Sequence, residues 1–218
     1  MRKITKRYLS LKSHKIFFIQ LVMGILFLTL SLFFNYYAQA YTATHSSNYV
    51  SDIILDHLPS KNVDDIFLEG MLVFIAFVTL LGLHKPGRIP FILKASALFI
   101  FIRAIFITLT HLAPPLHTEV VNSVSFWEKL LSGSGDDLFF SGHTGFPYLM
   151  ALIFWQNKFL RWLFLATSAF FGGAVLLGHL HYSIDVFSAF FITYGIFNIA
   201  LRLFKNDYKF FTSHNSSI

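Results

Sequence analysis

The chain has 218 residues, of which 55% are hydrophobic and 13% charged, with a formal net charge of +6 at pH 7. Too few polar side chains are present to cover a soluble domain, so the composition predicts a membrane protein. Cysteine is absent, which excludes disulfides, thiol nucleophiles and cysteine-ligated metals. The basic residues lie beside apolar segments and form no aromatic-rich patch, so we do not expect nucleic acid as a partner.

Six apolar segments are long enough to cross a bilayer, which takes about 20 residues each. They lie at Ile16–Tyr37, Ile66–Leu83, Phe91–Leu112, Leu138–Trp155, Trp162–Gly178 and Tyr182–Phe204. The sequence therefore predicts an all-α fold, with a six-helix membrane domain over residues 16–204, a basic tail at 1–15 and a second tail at 205–218. The first segment also resembles a signal peptide, but its apolar run exceeds the usual length of about 7–15 residues, so we interpret it as an uncleaved helix.

Charges in the connections predict the orientation of the bundle. The basic residues of both tails and of the second and fourth connections fall on one side, and most acidic residues fall on the other. Both termini are then cytoplasmic by the positive-inside rule. A short chain of this kind suggests a bacterial inner membrane with the site on its periplasmic or outer face, and an organelle membrane with a lumenal site is the alternative. The sequence does not indicate an oligomeric state.

His181 and Asp185 are the first candidate catalytic pair. Their i, i+4 spacing places both side chains on one face at the start of the last predicted helix. An aspartate that accepts from one imidazole nitrogen leaves the other nitrogen available as a nucleophile and stabilises the cation formed by its attack. A polar pair at a membrane interface is the structural alternative for this motif alone.

A second motif, Ser141-Gly142-His143, begins the fourth predicted span. Gly142 permits close backbone approach, and the N–H groups at a helix start favour an anion such as phosphate. His143 is placed to donate a proton to a leaving oxygen. The sequence predicts that this motif lies at the same membrane face as His181 and Asp185.

Two basic residues lie inside the third predicted span. Arginine within a membrane helix usually faces a partner or a wet cavity, so Arg103 is expected either to contact phosphate or to pair with Glu69. Lys94 is nearer the cytoplasmic end, and we expect its side chain to extend outward to the membrane surface.

Together these residues resemble a known family. Phe140-Ser141-Gly142-His143-Thr144 and His179-Leu180-His181-Tyr182-Ser183-Ile184-Asp185-Val186 are similar to the two signature motifs of the sphingomyelin-synthase branch of the phosphatidic acid phosphatase type 2 (PAP2) superfamily. The segments from Arg103 to Pro115 and from Gly135 to Phe139 also resemble that branch. The resemblance runs from about residue 52 to about residue 194 and is strongest after Arg103.

The resemblance implies a six-helix PAP2-like bundle and a phosphohistidine mechanism. His181 would be the nucleophile, Asp185 its orienting carboxylate, and His143 the acid that protonates the leaving alkoxide and later activates an acceptor hydroxyl. No cofactor or metal is implied. The residues expected to bind substrate or phosphate are Arg103, Asp137, Ser141, Gly142, Thr144 and His179.

The chain departs from the wider superfamily at positions that carry positive charge. Typical members have a Lys-x6-Arg-Pro motif, which we do not find, and a Ser-Arg pair where this chain has Ala174 and Val175. A phosphomonoester carries close to two negative charges and a phosphodiester one, so fewer cations favour a diester head group. We therefore expect transfer of a phospho-head group from a phospholipid to a lipid alcohol such as a ceramide or diacylglycerol.

Other functions stay open at this point. A PAP2-type lipid phosphatase is the nearest alternative, and a transporter or structural membrane protein is the distant one. A zinc site built from His143, His179, His181 and Asp185 is a further alternative. The connection at residues 113–137, which contains an interfacial tryptophan and a Ser-Gly run, is interpreted as a lid or as a plain connector.

Overall fold

The computed structural model describes residues 15–115 and 138–213, with the side chain of Ser213 excepted. Asp137 and the segment interpreted as a lid or connector lie outside the described residues. All regular structure in the two described ranges is helical. The α-helices are α1 (Lys15–His45), α2 (Asp64–His84), α3 (Ile89–Leu109), α4 (Gly142–Ile153), α5 (Lys158–Leu177), α6 (Ser183–Leu203) and α7 (Lys205–Ser213), with 3-10 turns at Leu55–His57 and Pro86–Arg88.

Five of these helices are long and apolar enough to span a membrane, which supports an integral membrane protein. They are α1, α2, α3 with the turn before it, α5 and α6. Many of their large apolar side chains are exposed, as the 79% exposure of Phe191 illustrates. Apolar surface on this scale requires a lipid environment.

The fourth predicted span, Leu138–Trp155, is shorter in the structure than the sequence indicated. Helix α4 has 12 residues, which gives about 18 Å at 1.5 Å per residue and falls short of a hydrocarbon core about 30 Å thick. The preceding chain turns at Phe139, whose φ is 78°. The helix ends at Ile153 and a turn leads into α5. Apolar composition alone did not reveal these two turns.

Helix α4 is the buried centre of the bundle and packs between α5 and α6. Gly145 lets α4 approach α6 and α3 closely, because a Cβ atom there would lie 2.8 Å from Thr193 Oγ1 and 2.9 Å from the Phe99 ring. Around this crossing, edge-to-face phenylalanine pairs such as Phe74 with Phe164 fill the core. Aromatic pairs of this geometry contribute beyond their buried area. The close packing fixes the position of the helix that carries Ser-Gly-His.

The end of the bundle away from that motif holds a buried ion pair. Lys94 Nζ lies 2.8 Å from Asp207 Oδ2 and also binds the side chain of Gln20. Both charged side chains are buried, so the expectation that Lys94 extends outward is wrong. Asp207 belongs to α7, and a partner is what allows a lysine to remain inside.

Candidate active site

The start of α6 holds His181 and Asp185 in contact. His181 Nδ1 lies 3.2 Å from Asp185 Oδ2, and the two side chains are 4% and 0% exposed. The same oxygen accepts the backbone N–H of Tyr182 at 3.1 Å, as a carboxylate in the first turn of a helix commonly does. Because the carboxylate is an acceptor, Nδ1 carries the hydrogen, and the ring lone pair belongs to Nε2.

The Ser-Gly-His motif forms the N-terminus of α4. Ser141 is the N-cap residue, and its Oγ accepts the N–H of Thr144 at 3.4 Å. Gly142 and His143 follow as the first residues of the helix. Backbone N–H groups at this position have no partner within the helix and favour an anion. The turn therefore has the local geometry expected of a phosphate-binding segment.

One backbone hydrogen bond joins the two motifs. The N–H of Ser141 donates to the backbone carbonyl of Asp185 at 3.0 Å. The N-termini of α4 and α6 therefore lie side by side at one end of the bundle. Two segments about 40 residues apart in sequence therefore meet at one end of the bundle.

His143 is held by α2. Its Nε2 lies 3.0 Å from the backbone carbonyl of Phe67, and its ring stacks on the Phe67 ring at a centroid distance of 3.8 Å. The side chain is 4% exposed. A carbonyl can only accept, so Nε2 carries the hydrogen in this contact.

Arg103 reaches the same turn from α3. Its Nε donates to the backbone carbonyl of Phe140 at 3.1 Å. A Cβ atom on Gly142 would lie 3.2 Å from that nitrogen, which shows how closely the guanidinium packs on the turn. Glu69 is exposed, and no Arg103–Glu69 ion pair is found within the described ranges. Arg103 therefore lies on the Ser-Gly-His turn, and its contact with phosphate stays a prediction.

Two further predicted binding residues, Thr144 and His179, lie near the site, and their side chains contact other parts of the protein. Thr144 is fully buried, and its hydroxyl lies 3.3 Å from where a Cβ of Gly172 in α5 would be. His179 precedes α6 with a φ of 51°, and its Nε2 lies 3.1 Å from the carbonyl of Leu58. His179 therefore contacts the connection between α1 and α2. Within the described ranges no three His, Asp or Glu side chains are grouped to hold a metal ion.

Sequence reasoning missed Asp52. Its Oδ2 accepts the N–H of Ser183 at 2.6 Å, although the two residues are 131 positions apart. Its Oδ1 accepts the N–H groups of Ile54 and Leu55 at 2.9 and 3.2 Å. Burial raises the pKa of this carboxyl, but the hydrogen bonds outweigh burial and leave the pKa below its ordinary value. The Asp-x-Ile-Leu turn was visible in the sequence, but its contact with α6 was not.

Tyr182 connects the start of α6 to two loops through its hydroxyl group. Its hydroxyl donates to the carbonyl of Ala113 at 2.9 Å and accepts the N–H of Val50 at 3.2 Å. Burial raises the pKa of this phenol, and the nearby carboxylates of Asp185 and Asp52 act in the same direction. The residue next to His181 is therefore anchored to both the α1–α2 and the α3–α4 connections.

Val175 lies in an apolar cluster beside the site. The members of this cluster are Val63, Phe67, Leu68, Val175, Leu180 and Val186. Phe67 is also the residue against which His143 stacks. The surroundings of Val175, where typical members of the wider superfamily carry an arginine, are thus hydrophobic, whereas Arg103 brings a cation to the Ser-Gly-His turn.

The fold and the site together define a helical membrane protein with a buried histidine–carboxylate pair beside a second histidine. The model of the family described as PAP2 superfamily C-terminal matches residues 135–202. The matched region contains both motifs, and it supports membership of the PAP2 superfamily and an enzyme of the lipid phosphatase or phosphotransferase type. No curated protein matches the chain.

Proposed function

We propose that the protein is an integral-membrane lipid phosphotransferase of the sphingomyelin-synthase-like branch. It moves a phospho-head group from a phospholipid to a lipid alcohol through a phosphohistidine intermediate. The observation that carries this proposal is the Ser141–Asp185 backbone hydrogen bond, which places the turn with His143 beside His181. The proposal assigns a nucleophile, an orienting carboxylate, an acid and a cation to these neighbouring segments, which are the groups that nucleophilic phosphoryl transfer requires.

In the first step, His181 Nε2 attacks the phosphorus of the phospholipid. A P–N bond forms while the P–O bond to diacylglycerol breaks, and His143 gives a proton to the departing alkoxide. Asp185 stabilises the imidazolium through Nδ1. Arg103 and the N–H groups at the start of α4 hold the non-bridging oxygens. Positioning and charge stabilisation supply most of the rate in such reactions.

In the second step, the acceptor hydroxyl attacks the phosphorus on His181. His143, now neutral, removes the hydroxyl proton, a new P–O bond forms, and the P–N bond breaks. The enzyme returns to its starting protonation state. A ceramide-like lipid or diacylglycerol would serve as acceptor, and both partners of the enzyme are then membrane lipids.

We also propose that α4 with its flanking residues forms a sixth, shortened crossing and that both termini are cytoplasmic. The distribution of basic residues supports this orientation. It places the site at the non-cytoplasmic face, which in a bacterial inner membrane is the periplasmic side. A donor lipid would then enter from the outer leaflet.

The charge of the site favours a phosphodiester donor. Arg103 lies on the Ser-Gly-His turn, whereas the neighbouring wall around Val175 is apolar. A singly charged diester needs less positive charge than a doubly charged monoester. This supports transfer of a head group, while the family match leaves a PAP2-type phosphatase, with water as acceptor, as the second candidate.

The test supplies purified protein in liposomes with a head-group-labelled phospholipid, with and without ceramide or diacylglycerol. Wild type is compared with His181→Ala and His143→Ala variants. A labelled lipid that forms only with the acceptor, and is lost in both variants, is the expected result. Water-soluble label alone would identify a hydrolase, and turnover that survives both substitutions would contradict the assigned site.

A further inference from the structure

The N-terminus of α6 binds two carboxylates, one from its own first turn and one from the connection between α1 and α2. Asp185 Oδ2 accepts the N–H of Tyr182, and Asp52 Oδ2 accepts the N–H of Ser183 at 2.6 Å. The first N–H groups of a helix have no partner within it, so each needs an outside acceptor when buried. Asp52 is 8% exposed, so water competes little for this contact.

Asp185 has a second oxygen that this arrangement leaves unused. Its Oδ1 is buried and makes no hydrogen bond with the described residues. If the Ser183 N–H lost its acceptor, this unpaired oxygen, two residues further along the same first turn of α6, would be available to accept it. Rotation toward Ser183 would move Oδ2 away from His181 Nδ1, now at 3.2 Å. By accepting the Ser183 N–H, Asp52 therefore removes a donor that would compete with His181 for the Asp185 carboxylate.

We propose that Asp52 is a positioning residue, which holds the start of α6 and reserves the Asp185 carboxylate for His181. This inference rests on the proposed function, because it assigns Asp52 a role in the reactivity of the phosphorylated histidine. Asp52 contacts no reacting atom. It acts through Ser183 and Asp185, and its effect should appear in the rate of the covalent step and not in substrate affinity.

Further hydrogen bonds hold Asp52 and the connection that carries it in place. Oδ1 of Asp52 accepts the N–H groups of Ile54 and Leu55, which fold the connection into a 3-10 turn. The hydroxyl of Tyr182 binds Val50 in the same connection. The hydrogen bonds to Asp52 lower its pKa below its ordinary value, and the carboxylate is ionised at neutral pH in either case. A charged acceptor makes a stronger hydrogen bond than a neutral one.

The test measures single-turnover phosphorylation of His181 from a head-group-phosphorus-labelled phospholipid in liposomes. The variants are Asp52→Asn, Asp52→Glu and the control Asp56→Asn, which removes the same charge from an exposed position in the same turn. An asparagine places an amide N–H₂ against one of the donor N–H groups, so it cannot replace all three contacts. We expect Asp52→Asn to slow phosphorylation about tenfold, equal to about 1.4 kcal/mol.

The amplitude of labelling separates positioning from folding. We expect Asp52→Asn to reach the wild-type amplitude with unchanged KM, Asp52→Glu to recover part of the rate, and Asp56→Asn to match wild type. A lower amplitude with an unchanged rate would mean that Asp52 serves folding only. A rate within twofold of Asp56→Asn would likewise overturn the inference.

The same experiment distinguishes failure of the proposed function. If wild type forms no alkali-stable, acid-labile label on His181, the phosphohistidine mechanism is wrong and the role of Asp52 is lost with it. If wild type is labelled and Asp52→Asn behaves identically, only the positioning role is contradicted.

Discussion

Replacing Asp185 with asparagine tests the central contact of the site. Asparagine has the same shape, and its side-chain oxygen can still accept the N–H of Tyr182, so the start of α6 should persist. What the variant lacks is the negative charge 3.2 Å from His181 Nδ1. The variant should therefore fold and bind lipid but lose transition-state stabilisation.

The size of the loss follows from that distance. Two unit charges 3.2 Å apart interact by about 5 kcal/mol at an effective dielectric constant of about 20. Because the imidazolium forms only as His181 attacks, this is an upper bound on the loss of transition-state stabilisation. At about 1.4 kcal/mol for each factor of ten, the phosphorylation rate should fall by up to about 10³–10⁴-fold.

The assay is the single-turnover labelling of His181, with thermal unfolding in detergent as a check on folding. Asp56→Asn again serves as the matched control. Retention of more than a tenth of the wild-type rate by a folded Asp185→Asn protein would refute the reasoning, because a buried charge in direct contact with the nucleophile cannot contribute so little if His181 becomes cationic.

Three further outcomes concern stability and pH. Gly145→Ala should lower the unfolding free energy by about 1–3 kcal/mol through overpacking, because the new Cβ would lie 2.8 Å from a threonine hydroxyl of α6. Gly173→Ala, with nothing within 4 Å of the new Cβ, should not lower it and should raise it by up to about 1 kcal/mol through helix propensity. Lys94→Met leaves the Asp207 carboxylate buried alone and should cost about 3–5 kcal/mol in chemical denaturation, with recovery when Asp207→Leu is added. The folded-state pKa of Asp52 lies below its ordinary value of 3.8. Its contribution to stability is therefore present above that value and is lost as pH falls through the folded-state pKa. Acid unfolding of Asp52→Asn should accordingly show a smaller pH dependence than acid unfolding of wild type. An equal dependence in both proteins would contradict that assignment.

The sequence predicted the His181–Asp185 contact from the i, i+4 spacing of a helix begun near Leu180. In the structure α6 begins at Ser183, so the contact joins the turn before the helix to its first turn. The sequence could not predict the contact of Asp52 with Ser183, since nothing local relates residues 131 positions apart. The length of α4 was overestimated for another reason. Leu138 and Phe140 are apolar and buried, and hydrophobicity does not distinguish a buried turn from a helix in so short a run.

The short α4 explains why these polar groups can meet inside an apolar bundle. Thr144 packs at the level of Gly172, and α5 continues to Leu177, about 8 Å further along its axis. The start of α4 is thus recessed below the end of α5.

Irregular backbone at such depth is tolerated only where protein groups or a wet cavity satisfy it. Three donors do so in the segment before α4: Thr110 binds the carbonyl of Leu138, Arg103 that of Phe140, and Ser141 donates to Asp185. Arg103 therefore stabilises the same turn that we propose binds phosphate. In that proposal, the side chain that would contact the phosphate is already ordered by its hydrogen bond to the turn before any lipid binds.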